Sequence, residues 1–175
     1  TISTLASNPN RFEIYAGTAS GGLISLRTNS EFLQTYTQAT TRSQLLTDHI
    51  AKAETGTDQL LYLLCRDNEQ PLYGLCRFDP AQRSWKTLVG MRSFPELTAA
   101  ENTARITDVE VDGDQLFIGT NSAGLGVYQL DEHQWRSIYS TATGLRSNEI
   151  RDLQSVKNQG LYVASAGGLQ QLQNG

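Results

Sequence analysis

Several residue groups in this sequence are of types that could do chemistry. Asp48 and His49 are adjacent, with Ser43 and Thr47 just before them, the ingredients of an acid–base pair beside a nucleophile. No Gly-x-Ser-x-Gly elbow and no ordered triad spacing accompanies them, so catalysis by this group is not expected. Asp112-x-Asp114 has the opening of a calcium loop, but the remaining ligands and the closing glutamate are missing. A turn aspartate that bonds its own backbone explains that pattern better. The stretches from Gly17 to Gly22 and from Gly119 to Gly124 read Gly-x-x-x-x-Gly without the lysine of a phosphate loop, and they join strand to strand. Cys65 and Cys76 form no Cys-x-x-Cys, and no histidine stands at zinc-ligand spacing from them. They fall on adjacent strands of one hairpin, which leaves a disulfide open if they are directly opposite and buried free thiols otherwise. His133 lies in a turn and is expected to be solvated. No metal and no cofactor is expected.

The remaining charged candidates are scattered, and only the elements that position them turn them into a set. With 38% hydrophobic and 18% charged residues, the 175-residue chain is large enough to bury a real core. No apolar run approaches the roughly 20 residues that cross a bilayer as a helix. A net charge of -4 without a Lys/Arg cluster argues against a nucleic-acid partner. The elements themselves repeat. The reference copy runs from Thr103 to Tyr128. It has an alternating strand (Ile106, Val109, Val111), an acidic glycine turn, and a second strand ending Phe117-Ile118-Gly119-Thr120. A glycine turn at Gly124 and a third strand (Leu125, Val127, Tyr128) complete it. Trp135, Ile138 and Tyr139 add a fourth strand. Related copies occupy about 1–40, 41–95, 103–142 and 144–175, read together as one domain. Gly17, Leu64, Gly119 and Ala164 hold one place in successive copies, and Phe32, Trp85 and Trp135 another. The last copy lacks a fourth strand. Segment 95–101 reads as a connecting insertion with one or two helical turns.

The glycine turns supply φ > 0 for tight hairpins, and the period-2 apolar pattern calls for sheets packed face to face. The expected fold is all-β: a β-propeller of about four four-stranded meander blades, the last incomplete. Two closures stay open. The chain is either a compact four-bladed propeller or an arc of a larger one, and the missing outer strand favours the arc.

The motifs resemble the two-component-regulator type of β-propeller repeat. Gly144-Leu145, Ser147-Asn148 and Ile150 match its opening, with Arg146 in place of proline. Asp112-Gly113, Phe117-Ile118-Gly119-Thr120 and Gly124-Leu125 match its middle, as do Tyr15-Ala16-Gly17-Thr18 and Gly21-Gly22-Leu23. The second copy lacks the Gly-Thr end, and Ala164-Ser165 replaces it in the last. Kelch and WD-type propellers share part of this pattern. The resemblance implies a sensory input module of a signalling protein, periplasmic or extracellular.

In a propeller the first strand of each blade lines the central channel. Aligning Ile2, Ile50, Ile106 and Ile150 puts Lys52, Asp108 and Asp152 at one level, with Thr4 in the first copy. His49, Arg105 and Glu149 fall one residue before the isoleucines, with Thr1. These six, His49, Lys52, Arg105, Asp108, Glu149 and Asp152, are the candidate site: solvation and ion pairing of the channel on one reading, a mouth binding a small polar ligand, a peptide or a protein partner on the other. Non-enzymatic binding is therefore the expected function. A structural subunit completing a ring with a partner is the first alternative. A propeller lyase or lactonase is the second, and it needs a metal or a His–acid cluster on the axis.

Overall fold

The structure is a computed structural model. It describes residues 1–28, 33–56, 58–69, 73–92, 105–156 and 159–172; the side chains of Met91 and Arg92 are not described. Phe32 and the 95–101 segment therefore lie outside the described residues. The chain folds as four antiparallel sheets, the blades of a β-propeller, grouped in two compact units that divide between Ser93 and Phe94.

The first unit holds two blades. The first blade is β1 (Ile2–Asn8), β2 (Glu13–Thr18), β3 (Leu23–Arg27) and β4 (Leu33–Tyr36), in that spatial order. The opening strand thus runs two residues past Ala6, and the Asn8-Pro9-Asn10 turn becomes a 3-10 turn over Pro9–Arg11. Proline fits there because a first-turn residue has no intrahelical use for its N–H. The second blade is β5 (Ile50–Thr55), β6 (Leu61–Arg66), β7 (Tyr73–Asp79) and β8 (Ser84–Arg92). β6 is apolar on both faces and buried throughout Leu61–Cys65, as its unbroken hydrophobic run requires. The blades meet through one core of Tyr15, Leu23, Ile50, Ala53, Leu63 and Phe78 with their neighbours.

The second unit repeats the design. β9 (Ile106–Asp112), β10 (Gln115–Thr120), β11 (Leu125–Gln129) and β12 (Gln134–Tyr139) form the third blade. β13 (Ile150–Val156), β14 (Gly160–Ser165) and β15 (Gly168–Leu172) form the fourth, which has three strands among the described residues. Phe117, Leu125 and Val127 pack on Ile150, Leu153, Leu161 and Val163.

Two devices set how closely neighbouring blades approach. The first is the small residue closing the second strand. A Cβ built on Gly119 would lie 2.6 Å from Ile150 Cγ2, and one on Gly17 would lie 2.7 Å from Ile50 Cγ2. Each isoleucine therefore sits directly on a glycine of the preceding blade. Gly119→Ala should force Ile150 outward and lower stability by about 1–3 kcal/mol, read as a shift in the urea midpoint. An unchanged midpoint would show that the seat is loose. The second device is the turn after it. Thr18 and Thr120 donate their hydroxyls to the carbonyls of Gly22 and Gly124 and accept from the N–H of Gly21 and Ala123. This side-chain chemistry closes the Gly-x-x-x-x-Gly stretches and leaves them as hairpin turns.

Candidate functional site

The first strands carry the residues singled out from the sequence, and their register is the one expected. Ile2, Ile50, Ile106 and Ile150 pair with Thr18, Cys65, Thr120 and Ser165; a bulge follows each, and Thr4, Lys52, Asp108 and Asp152 pair with Gly17, Leu64, Gly119 and Ala164. The carbonyls of Thr1, His49, Arg105 and Glu149 accept the N–H of Ala19, Arg66, Asn121 and Ala166 at 3.0 Å each. The two levels thus exist in every blade.

What the side chains do there differs from residue to residue. The His49 imidazole meets Asn68 Oδ1 through Nδ1 at 2.6 Å. The Thr47 hydroxyl donates to the carbonyls of His49 and Arg66, and Asp48 Oδ1 accepts the N–H of Gln38. These bonds spread the would-be acid, base and nucleophile over separate partners. Lys52 pairs with Glu54 at 3.8 Å, and Glu149 with Arg151 at 3.1 Å. Arg105 is exposed, with its N–H on Asn121 Oδ1. Asp152 is also exposed.

Asp108 stands apart, because it is 1% exposed. Its Oδ2 accepts the N–H of Leu153 at 2.8 Å, and Oδ1 accepts that of Val109 at 2.9 Å. Farther along β9, Glu110 Oε1 accepts the N–H of Ser155, and Asp112 Oδ2 accepts the Ser155 hydroxyl. Asp112 therefore bonds the neighbouring blade where a bond to its own turn was expected. In the first unit Thr4 takes the place of Asp108: its Oγ1 accepts the N–H of Ala53. These side chains satisfy the channel-side edge of the next blade's first strand, an edge that would otherwise offer open donors. The sequence signal was an acid at alternate positions of β9, which reads equally well as channel lining.

Cys65 and Cys76 are buried and free, with sulfurs 3.9 Å apart. Leu63, not Cys65, is opposite Cys76, so the two cysteines are diagonal neighbours. The hydrogen bond that Cys65 donates to Cys76, together with burial, pushes the Cys65 thiol well up. Among the described residues no group of three His, Cys, Asp or Glu side chains gathers as a metal site would.

A cavity of about 410 Å³ lies elsewhere in the first unit. β4 supplies Gln34, Thr35 and Tyr36. The connector to the second blade supplies Thr40, Thr41, Arg42 and Gln44, and the β7–β8 hairpin supplies Arg83 and Trp85. The connector is held by its own threonines. Thr41 Oγ1 donates to Thr37 O at 2.8 Å and accepts the N–H of Leu45, while the N–H of Ser43 reaches Gln38 O. Arg42 closes this turn at φ 55°, and Arg83 closes its hairpin at φ 52°. His133, the counterpart of Arg83 in the third blade, has φ 56°, so the left-handed residue belongs to the hairpin and the arginine to this site. Both arginines are exposed, and neither guanidinium has a carboxylate partner among the described residues.

Tyr36 and Trp85 give the cavity an aromatic lining. Tyr36, Phe78 and Trp85 contact one another, with ring centroids 4.6–5.5 Å apart. Glu13 lines a second, smaller cavity that shares Gln34, Tyr36 and Arg83 with the first; it is hydrogen-bonded by Tyr15 and paired with Arg11 at 3.3 Å and Arg27 at 3.1 Å. Burial alone would raise the Glu13 carboxyl, but the bonds from Tyr15, Arg27 and Arg11 outweigh it and hold it below the usual carboxylate value. Burial, and then the bond to Glu13, pushes the Tyr15 hydroxyl far up. One carboxylate thus answers Arg11 and Arg27. Sequence reading missed Arg42 and Arg83, since nothing near them in the chain shows that they meet.

No family model matches the sequence, and no curated protein does. Solved structures do match. The extracellular domain of the hybrid two-component system BT3049 from B. thetaiotaomicron is similar with a TM-score of 0.69 and 14% identity, over 96% of this chain and 21% of that one. YCF48 bound to D1 peptide gives 0.63 and 12%, over 97% and 49%. The computationally designed Ika4 protein gives 0.61 and 13%, over 99% and 92%. The chain thus spans about a fifth of the BT3049 domain and about half of YCF48. At these identities the likeness is one of fold, and it agrees with the sheets described above: this chain has the β-propeller fold.

Proposed function

We infer that this chain is a non-enzymatic binding module whose cavity at Arg42, Arg83, Tyr36 and Trp85 takes an acidic peptide segment of a protein partner. One observation carries this reading: two guanidiniums without carboxylate partners among the described residues flank an open cavity lined by two aromatic rings. Guanidiniums bind carboxylates through two parallel N–H donors, and the rings give a flat apolar bed for the peptide backbone and side-chain stems. Gln34, Gln44, Thr40 and Thr41 add neutral donors and acceptors at the rim. The peptide bound by YCF48, a protein of the same fold, supports this use of a propeller. The likeness to a two-component extracellular domain supports a sensory setting outside the cytoplasm.

Titration with a synthetic Glu- and Asp-rich peptide tests this. The chain has two tryptophans, so Trp135→Phe leaves Trp85 as the fluorescent reporter. Arg83→Ala should weaken binding about 10-fold, and adding Arg42→Ala about 100-fold, at roughly 1.5 kcal/mol per charge-assisted contact. Substituting Arg105 and Glu149 to alanine should leave the affinity unchanged. Binding that ignores the loss of both Arg42 and Arg83, or that requires Arg105 and Glu149, would move the site to the channel mouth.

A further inference from the structure

β4 is the last strand of the first blade's sheet and, among the described residues, pairs only with β3. A Cβ built on Gly22 would lie 2.0 Å from the Tyr36 carbonyl oxygen, so that oxygen points toward β3. Backbone groups alternate sides along a strand. Gln34 and Tyr36 therefore bond β3, and the N–H and C=O of Thr35 point away from the sheet. Among the described residues nothing takes either group. At the next outward position the chain closes its own edge. Thr40 Oγ1 accepts the N–H of Thr37 at 2.8 Å, and Thr37 O accepts the N–H of Thr41 at 2.9 Å.

Side chains alternate as well, between the two faces of the sheet. Tyr36 meets Phe78 and Trp85 of the second blade, so Gln34 and Tyr36 share the face turned to that blade. Thr35 carries its side chain on the opposite face, yet it lines the same cavity of about 410 Å³ as Arg42 and Arg83. What Thr35 presents to the cavity is then its backbone edge. The cavity runs along an open strand edge, which is a template for a further strand.

We propose, on the acidic-peptide reading given above, that the segment binds as an added strand along the outer edge of β4. Its backbone exchanges hydrogen bonds with the N–H and C=O of Thr35. Its side chains alternate in step with β4, so those on the face of Gln34 and Tyr36 reach Arg42 and Arg83. The site thus reads acids at alternate positions, over the roughly four residues that β4 can pair. Intervening side chains fall on the face of Thr35 and are not selected for charge. The two unmatched guanidiniums make the occupant an acidic segment.

Titration of the Trp135→Phe chain with two synthetic peptides of one composition tests the spacing. Glu-Thr-Glu-Thr-Glu-Thr-Glu should bind about 10-fold more tightly than Glu-Glu-Thr-Thr-Glu-Glu-Thr, which has no acids two apart. Thr35→Pro deletes the outward N–H at an edge position that tolerates proline. It should fold, as circular dichroism would show, and weaken binding about 10-fold, whereas Thr35→Val should bind normally. The peptide's own backbone gives an independent measurement. Of two alternating peptides, N-methylated on every threonine or on every glutamate, one should lose at least about 10-fold and the other keep its affinity. Equal behaviour of the methylated pair, or full affinity in Thr35→Pro, would overturn strand addition. If Arg83→Ala still weakened binding, the acidic-peptide reading would stand without it; no binding by the Trp135→Phe chain would overturn both. A doubled mass in light scattering that Thr35→Pro abolishes, with peptide affinity unchanged, would assign the edge to a second copy and also overturn the proposal.

Discussion

Phe78→Ala should lower the unfolding free energy by about 4 kcal/mol, measured as a loss in urea or thermal denaturation followed by circular dichroism. Phe78 is 1% exposed and contacts three other rings: Tyr15 edge-on at 6.4 Å, Tyr36 at 5.0 Å and Trp85 at 4.6 Å. Alanine removes the transfer free energy of the ring and leaves a void that strands and aromatic neighbours cannot close. Phe78→Leu keeps most of the volume and should cost less than half as much. The substitution also has a local readout. Tyr36 and Trp85, which line the arginine cavity, lose the ring that orients them, so Trp85 fluorescence should shift even in the fully folded variant. A loss below about 1 kcal/mol would mean that the site collapses around the deletion and that the aromatic core is not a packed unit.

Asp108→Ala is expected to cost about 3 kcal/mol, roughly 6–12 °C in melting temperature for a chain of this length. The cause is not the loss of a surface charge. Two buried backbone donors, at Leu153 and Val109, lose their acceptor with no water to replace it. Asp108→Asn keeps one oxygen and should retain part of the stability. Hydrogen exchange separates this account from a ligand-binding role: the Leu153 amide should lose protection in Asp108→Ala well beyond the rest of β13. If stability and Leu153 protection are both unchanged, the carboxylate does not cap the neighbouring strand. Thr4→Val, the counterpart in the first blade, should cost about 1 kcal/mol, since a neutral hydroxyl bond of 3.1 Å is lost there.

Much of the fold was legible because it repeats. A single alternating strand is weak information, but Ile2, Ile50, Ile106 and Ile150 recur with the same small or apolar partner downstream, and that recurrence fixed strand order and register together. The small residues at Gly17 and Gly119 were legible for the same reason, since a close approach between blades tolerates nothing larger. The candidate site was less legible. An aspartate on an inner strand looks the same in sequence whether it faces a channel or reaches across to cap the next strand, and Asp108 does the second. The two arginines stayed hidden because Arg42 and Arg83 are some forty residues apart and meet only when the connector folds back over the second blade. Trp85 gave a partial clue, but the packing role it shares with Trp135 masked its place at the cavity. The cysteines illustrate the limit of strand pairing without register: on neighbouring strands, yet offset by two positions.

The bulge after the isoleucine in every first strand bears on how such a chain can change. Because the extra residue recurs at one place in all four sheets, adding or removing a whole repeat by recombination keeps the register of every remaining first strand. Deleting a single residue between the isoleucine and the end of that strand instead turns every following side chain to the opposite face, which breaks the pattern that packs one blade on the next. Length variation in this lineage should therefore come in steps of one blade, with odd-sized insertions confined to the turns.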